Sequence, residues 1–323
     1  MKTSPILLTL LALLAAGCSS TPTEGSKTRS VYYWKTTFSL SQSDLDFLSG
    51  HRIGRIYLRM FDVDHDPEIG KTVPIATARF LSPKPEGIEI VPTVFITLNA
   101  LNDYRDDEAT LANLIVDRVL KMCTYNNLGE IGEIQFDCDW TSRSKKGFER
   151  LCSSAMELLH SRGIQLSGTI RLHQIAEAEY PFDRGVLMLY NTGSIRSKDT
   201  ENSIISVEDV RKYLCVPQRI SKFRDDRKWN CPMIDCAYPT YGWGVLFDAG
   251  GKFSSIIRDS QMDTLHIPEG YSLRKENSPF GTVSEIKSLV DSLLGSNHSN
   301  IIYHLDSTNL SKYSYNEIEH IFN

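Results

Sequence analysis

Gln135-Phe136-Asp137-Cys138-Asp139-Trp140-Thr141 reads as a β-strand with acids on one side. Strand side chains alternate, so Gln135, Asp137 and Asp139 share one face while Phe136, Cys138 and Trp140 share the other. A buried sheet face normally carries Val, Ile or Leu, and burying unpaired charge is costly. Two neighbouring carboxylates at a strand end therefore point to a site or to a paired polar network.

Outward from this strand, apolar runs of strand length recur at 31–38, 55–63, 88–97, 165–173, 185–190, 233–238 and 301–305, making eight with 133–140. Between them run helical periods: Leu111, Leu114, Ile115, Val119, Met122; then Phe148, Leu151, Cys152, Ala155, Leu158, Leu159; then Val283, Ile286, Leu289, Val290, Leu293. Thr282 and Glu285 have capping-box spacing ahead of the third helix. This alternation predicts an α/β fold, a single (β/α)8 TIM-type barrel over 31–323, in preference to a doubly wound sheet. Polar, irregular stretches at 192–203, 222–230 and 259–279 break the rhythm and are placed to wall a cleft.

The chain opens with Lys2, an apolar run from Ile6 to Ala16, and Ala15-Ala16-Gly17-Cys18-Ser19, a signal-peptide pattern ending in a lipobox-like site. Residues 1–17 are the expected leader, and Cys18 the expected lipidated residue, carrying palmitate-type acyl chains. The apolar run is about half the roughly 20 residues a bilayer requires, so the expectation is a membrane anchor and not a span. Residues 18–30 read as lipidated Cys plus a flexible Ser/Thr/Gly/Pro tether. By resemblance to Gram-negative lipoprotein sorting, Ser19 in place of Asp favours the outer membrane; which face is decorated is left open.

The formal net charge is −5, one unit more negative once Lys2 is removed, and no basic stripe is present. Nucleic acid is therefore not an expected partner. The eight His residues show no His-Glu-x-x-His spacing, and no glycine-rich phosphate loop follows the first strand, so neither metal nor cofactor is expected. Asp62-Val63-Asp64-His65-Asp66 opens like a calcium loop, but Pro67 and Val73 stand where Gly and Glu are needed. Cys123, Cys138, Cys152, Cys215, Cys231 and Cys236 permit disulfides, and no pairing is assigned.

A barrel gathers the C-terminal strand ends at one mouth. That filter collects Arg59 and Asp62, Asp137 and Asp139, Arg171 and His173, Tyr190 and Asn191, Asp235, Tyr241 and Trp243. Carboxylates suit acid, base or nucleophile work, and aromatic rings offer flat faces to sugars. On residues alone, Arg171 and His173 have a second reading, as ion-pair partners of Asp137 and Asp139. Trp243 is the best stacking candidate, whereas Trp140 faces the helix layer.

Asp137-Cys138-Asp139-Trp140-Thr141 resembles the later part of the Asp-x-x-Asp-x-Asp-x-Glu signature of family 18 glycoside hydrolases, the chitinases and endo-β-N-acetylglucosaminidases. Met188-Leu189-Tyr190-Asn191 is similar to that family's Met-x-Tyr-Asp, and Pro239-Thr240-Tyr241-Gly242 to its Pro-x-Tyr-Gly. Val31 to Trp34, Gln135 to Asp139 and Leu166 to Arg171 also resemble a bacterial barrel-like lipoprotein family of unknown function. The family 18 resemblance implies that Asp139 steadies a substrate acetamido group, that Asp137 is its buried partner, and that Tyr190 hydrogen-bonds the sugar. Asn191 replaces an Asp, Ile134 replaces the first signature Asp, and Thr141 replaces the general acid.

The expected function is an envelope lipoprotein that hydrolyses a glycan, such as one containing N-acetylglucosamine, with Asp137, Asp139 and Asp235 as catalytic carboxylates. Arg59, Arg171, His173, Tyr190, Asn191, Tyr241 and Trp243 would contact the substrate. The alternatives are a catalytically inactive glycan-binding lipoprotein, and a structural envelope protein whose mouth is plugged by 222–230.

Overall fold

The eight apolar runs become eight parallel strands: β1 Ser30–Tyr33, β2 Arg55–Asp66, β3 Glu89–Ile96, β4 Glu133–Asp137, β5 Gln165–Arg171, β6 Arg184–Met188, β7 Ile234–Pro239 and β8 Asn300–Tyr303. Each pairs with the next in chain order, and β1 bonds both β2 and β8, which closes the barrel. The computed structural model describes residues 27–176, 180–215, 234–262, 264–295 and 297–323. The leader, Cys18, most of the tether, the 222–230 stretch and Cys231 lie outside the described residues. Among those described, no helix is long and apolar enough to cross a membrane.

The outer layer includes α1 Gln42–Gly50, α2 Glu108–Tyr125, α3 Lys145–His160, α4 Val207–Leu214, α5 Phe280–Leu294 and α6 Tyr315–Phe322. The apolar stripe of α3, Phe148, Leu151, Cys152, Ala155 and Leu159, is buried, and Phe148 stacks on Trp140 with ring centroids 6.1 Å apart. Helix α5 starts two residues before the predicted capping box. Pro279 is its N-cap and Thr282 lies inside its first turn, because a proline there costs no helical hydrogen bond. The five described cysteines are all unbridged.

Polar layers fill the barrel interior. In the middle, Tyr32 stacks on Tyr57 at 4.9 Å and donates to Gln135 Oε1 at 2.8 Å, whose amide donates to Ser167 Oγ at 3.4 Å. At the N-terminal strand ends, Arg55 pairs with Glu89 at 2.8 Å and faces Glu133 at 3.5 Å. Beside them Arg184 pairs with Asp235 at 2.8 Å, and the other Asp235 oxygen accepts the Ser299 N–H at 2.9 Å. Asp235 is thus the second residue of β7 and sits at the floor of the barrel, not at its mouth. Strand alternation gives the face a side chain takes but not its depth, and Asp235 is removed from the mouth on depth alone.

Two strands stop three or more residues before their expected ends. β1 ends at Tyr33, and the chain then forms a separate two-residue pairing of Thr37–Phe38 with Arg79–Phe80. β4 ends at Asp137, so Asp139 lies just beyond the ladder. The acidic run after Arg59 is a continuation of β2 folded back on Lys71–Ile75, and Asp66 Oδ1 accepts the N–H groups of Glu68 and Ile69 in the turn. Between β7 and α5 stands a three-stranded antiparallel sheet, Trp243–Phe247, Phe253–Arg258 and Ser272–Glu276, part of which falls where an irregular stretch was expected. The irregular 192–203 segment packs against it: Arg274 donates to the Ser197 carbonyl at 2.6 Å and Ser203 to Glu276 at 2.5 Å.

The two ends of the described chain meet at the barrel floor. Arg29 makes a two-pronged pair with Glu319 of α6 at 2.8 and 3.0 Å, and the His51 ring nitrogen lies 2.8 Å from the same carboxylate.

Candidate functional site

At the C-terminal strand ends, Arg171 bridges the two acids of the opening motif. Its guanidinium pairs with Asp137 at 3.0 Å and donates to Asp139. Asp137 is buried at 3% exposure and also accepts from the Thr169 hydroxyl at 2.5 Å. Burial pushes its carboxyl above the usual range, and Arg171 and Thr169 only partly offset this. Burial works the other way on Arg171, yet Asp137 and its neighbours outweigh it and hold the guanidinium charged. The Asp139 side chain is 53% exposed and faces solvent on one side. Gln174 fixes the strand ends: its carbonyl accepts the Arg171 N–H at 2.8 Å and its amide donates to the Trp140 carbonyl at 2.9 Å.

Two contiguous cavities open here. The smaller, about 240 Å³, is lined by Asp139, Arg171, His173 and Tyr190; the larger, about 580 Å³, by Trp34, Arg59, Tyr241, Trp243 and Tyr303; Asn191 lines both. Asn191 has a φ of +55°, a conformation Asn tolerates better than most residues, and its side-chain carbonyl accepts the Tyr241 hydroxyl at 2.9 Å. Tyr303 stacks on Tyr190 at 4.4 Å and meets Tyr241 edge-on at 5.7 Å, and Tyr241 leans on Trp243 at 5.2 Å. The Trp243 indole N–H donates to Glu276 at 2.7 Å, which turns the ring toward the cleft from the inserted sheet. On the opposite wall Arg59 lies over Trp34 at 5.6 Å while pairing with Asp62.

The remaining charges of the larger cavity are largely paired. Lys35 holds Asp306 at 2.8 Å, and this contact keeps the Asp306 carboxyl below its usual range although burial alone would raise it. Lys312 pairs with Asp259. His304 faces the same space, its Nδ1 buried without a hydrogen-bond partner among the described residues, and burial pushes its pKa down to about 4.

The barrel therefore brings together Arg59, Asp137, Asp139, Arg171, His173, Tyr190, Asn191, Tyr241 and Trp243, and leaves out Asp235. Thr141, at the position of the family 18 acid, is exposed, and its N–H bonds Ser144 Oγ at 2.9 Å. Sequence reasoning missed Tyr303, His304 and Arg258. Tyr303 hid in an apolar run that reads as core; Arg258 lies in a sheet that carries no strong strand signal. Among the described residues no group of His, Cys, Asp and Glu is arranged to hold a metal ion.

No protein-family model matches the chain, and no curated protein sequence matches it. Solved structures do match. The Bacillus cereus spore cortex-lytic enzyme SleL superposes with a TM-score of 0.57 at 15% identity, over 93% of this chain and 75% of its own. A chitinase from Chromobacterium violaceum gives 0.50 at 11%, over 88% and 98%. The second catalytic domain of the Ostrinia furnacalis Group II chitinase, in a complex with a penta-N-acetyl chitooligosaccharide, gives 0.51 at 12%, over 87% and 90%. The likeness is one of fold: the chain is a closed parallel (β/α)8 barrel like these glycan-acting proteins.

Proposed function

We propose that the chain is a glycan-binding barrel that takes an N-acetylglucosamine-containing saccharide across the mouth and does not cleave it by the family 18 route. One observation carries this reading. The two acids of the signature are both occupied by Arg171, and the residue two places on is Thr141, beside a cleft floored by aromatic rings. Glycoside cleavage needs a carboxylic acid that delivers a proton to the leaving oxygen. A Thr hydroxyl does not do this near neutral pH. Losing that group removes rate while leaving stacking and hydrogen bonding in place. The fold shared with chitinases, one holding a chitooligosaccharide, supports the ligand class.

The hydrolytic alternative draws on a different observation. Burial holds the Asp137 carboxyl toward its neutral form, as an acid requires, although its bonded oxygen is engaged by Thr169 and Arg171. The leader pattern and Cys18 support anchoring at the cell envelope, with Ser19 favouring the outer membrane.

The test is titration calorimetry of residues 27–323 with tri-N-acetylchitotriose, beside mass-spectrometric product analysis after long incubation. Saturable binding with intact glycan is the expected result. Cleavage that disappears in Asp139→Asn establishes the hydrolase instead, and the absence of both binding and cleavage removes the glycan reading.

A further inference from the structure

The charge around the cleft is uneven. On the β4–β5 side, two carboxylates share one guanidinium. Around the larger cavity, Lys35 is balanced by Asp306, Arg59 by Asp62 and Asp259 by Lys312. Arg258 remains. It ends the strand Phe253–Arg258, lines the larger cavity, and its side chain has no carboxylate partner among the described residues. Its backbone N–H is held by Gln261 Oε1 at 3.3 Å, which ties the strand end down. His304 in the same wall is neutral near pH 7 and adds no charge of either sign.

Arg258 is exposed at the cavity wall, and a guanidinium there without a counter-ion matches a planar anion, as carboxylates meet Arg. The aromatic floor of Tyr303, Tyr241 and Trp243 runs from the Asp139–Arg171 end toward Arg258 through the cavity wall they share. Building on the glycan reading above, we infer that the saccharide is acidic: its rings lie on the aromatic floor and a carboxylate substituent reaches Arg258.

The test is calorimetry on the folded barrel and on Arg258→Gln with three probes. These are neutral tri-N-acetylchitotriose, a hyaluronan tetrasaccharide carrying uronic carboxylates, and a tetrasaccharide of alternating N-acetylglucosamine and N-acetylmuramic acid carrying lactyl carboxylates. The expected result is that at least one acidic probe binds about tenfold more tightly than the neutral one, the scale of a single charge-assisted contact. That advantage shrinks at high salt and vanishes in Arg258→Gln, whose unchanged urea unfolding midpoint reports an intact fold. Which acidic probe gains distinguishes a uronic from a lactyl carboxylate. Equal affinities for neutral and acidic probes overturn the inference and leave the glycan reading standing, as does an advantage that survives Arg258→Gln. Failure of all three to bind overturns both.

Discussion

The floor and the mouth of this barrel hold the same ingredients in different settings. At the floor, Arg55 and Arg184 face Glu89, Glu133 and Asp235, with Asp235 and Glu133 almost fully buried. At the mouth, Arg171 faces Asp137 and Asp139, and one of the two acids is half in solvent. The Arg184–Asp235 pair at the floor is enclosed: Asp235 is 1% exposed and spends its second oxygen on the Ser299 backbone. The mouth network borders open space on one side. Ion pairs of like composition thus lie buried at one end of the barrel and leave a carboxylate facing water at the other, where the proposed glycan site lies.

The largest expected effect tests the floor. Arg184→Met leaves Asp235 buried without its cation, and loss of one partner of such a pair costs about 3–5 kcal/mol. Urea unfolding should show that loss, while glycan affinity of the folded fraction stays unchanged. A drop in affinity with normal stability would erase the distinction between the two ends.

Next comes the pH response of the mouth. His304 titrates near 4 in the folded chain and near 6.5 when unfolded, so between those values the unfolded state binds more protons. Its contribution is fully present above pH about 6.5 and is lost as the pH falls toward 4, by about 2 kcal/mol. In His304→Gln the acid limb of the stability curve should flatten by that amount, read from urea midpoints at pH 7 and pH 4.5.

Trp243→Ala removes a ring that stands between the inserted sheet and the cleft. Affinity for tri-N-acetylchitotriose should fall about tenfold, a typical loss for an aromatic anchor, measured by calorimetry. The smallest effect belongs to Asp139→Asn. Its side chain is 53% exposed, so its pair with Arg171 is heavily screened, and the unfolding free energy should move by less than about 1 kcal/mol.

All eight barrel strands were legible in the sequence because each carries an apolar run buried on at least one face, and that pattern survives without knowledge of the neighbours. The α3 stripe was legible for the same reason at helical period. The Asp137–Asp139–Arg171 cluster was legible too, because acids in a buried strand are improbable unless paired. Depth was not. Asp235 and Asp137 both precede apolar residues in strand-like runs, and only the strand boundaries reveal that one starts β7 and the other ends β4. The inserted sheet was hidden for another reason. Phe253–Arg258 alternates half-buried and exposed residues, so its apolar content is weak, and its pairing with Trp243–Phe247 is a tertiary fact. With it went Arg258.

The clamp between Arg29 and Glu319 has a mechanical meaning. A pull on the chain ahead of Arg29 meets that clamp first, where a two-pronged contact ties the incoming segment to α6. Past it, the force runs along the axis of β1, whose parallel ladders to β2 and β8 lie across the load on both sides. Bonds loaded in that direction share the strain and fail together, whereas the bonds of a peeled edge strand fail in turn. The barrel is therefore gripped by a strand paired on both sides, at the end farthest from the cleft, and tension on the leading segment is spent there before it deforms the opening.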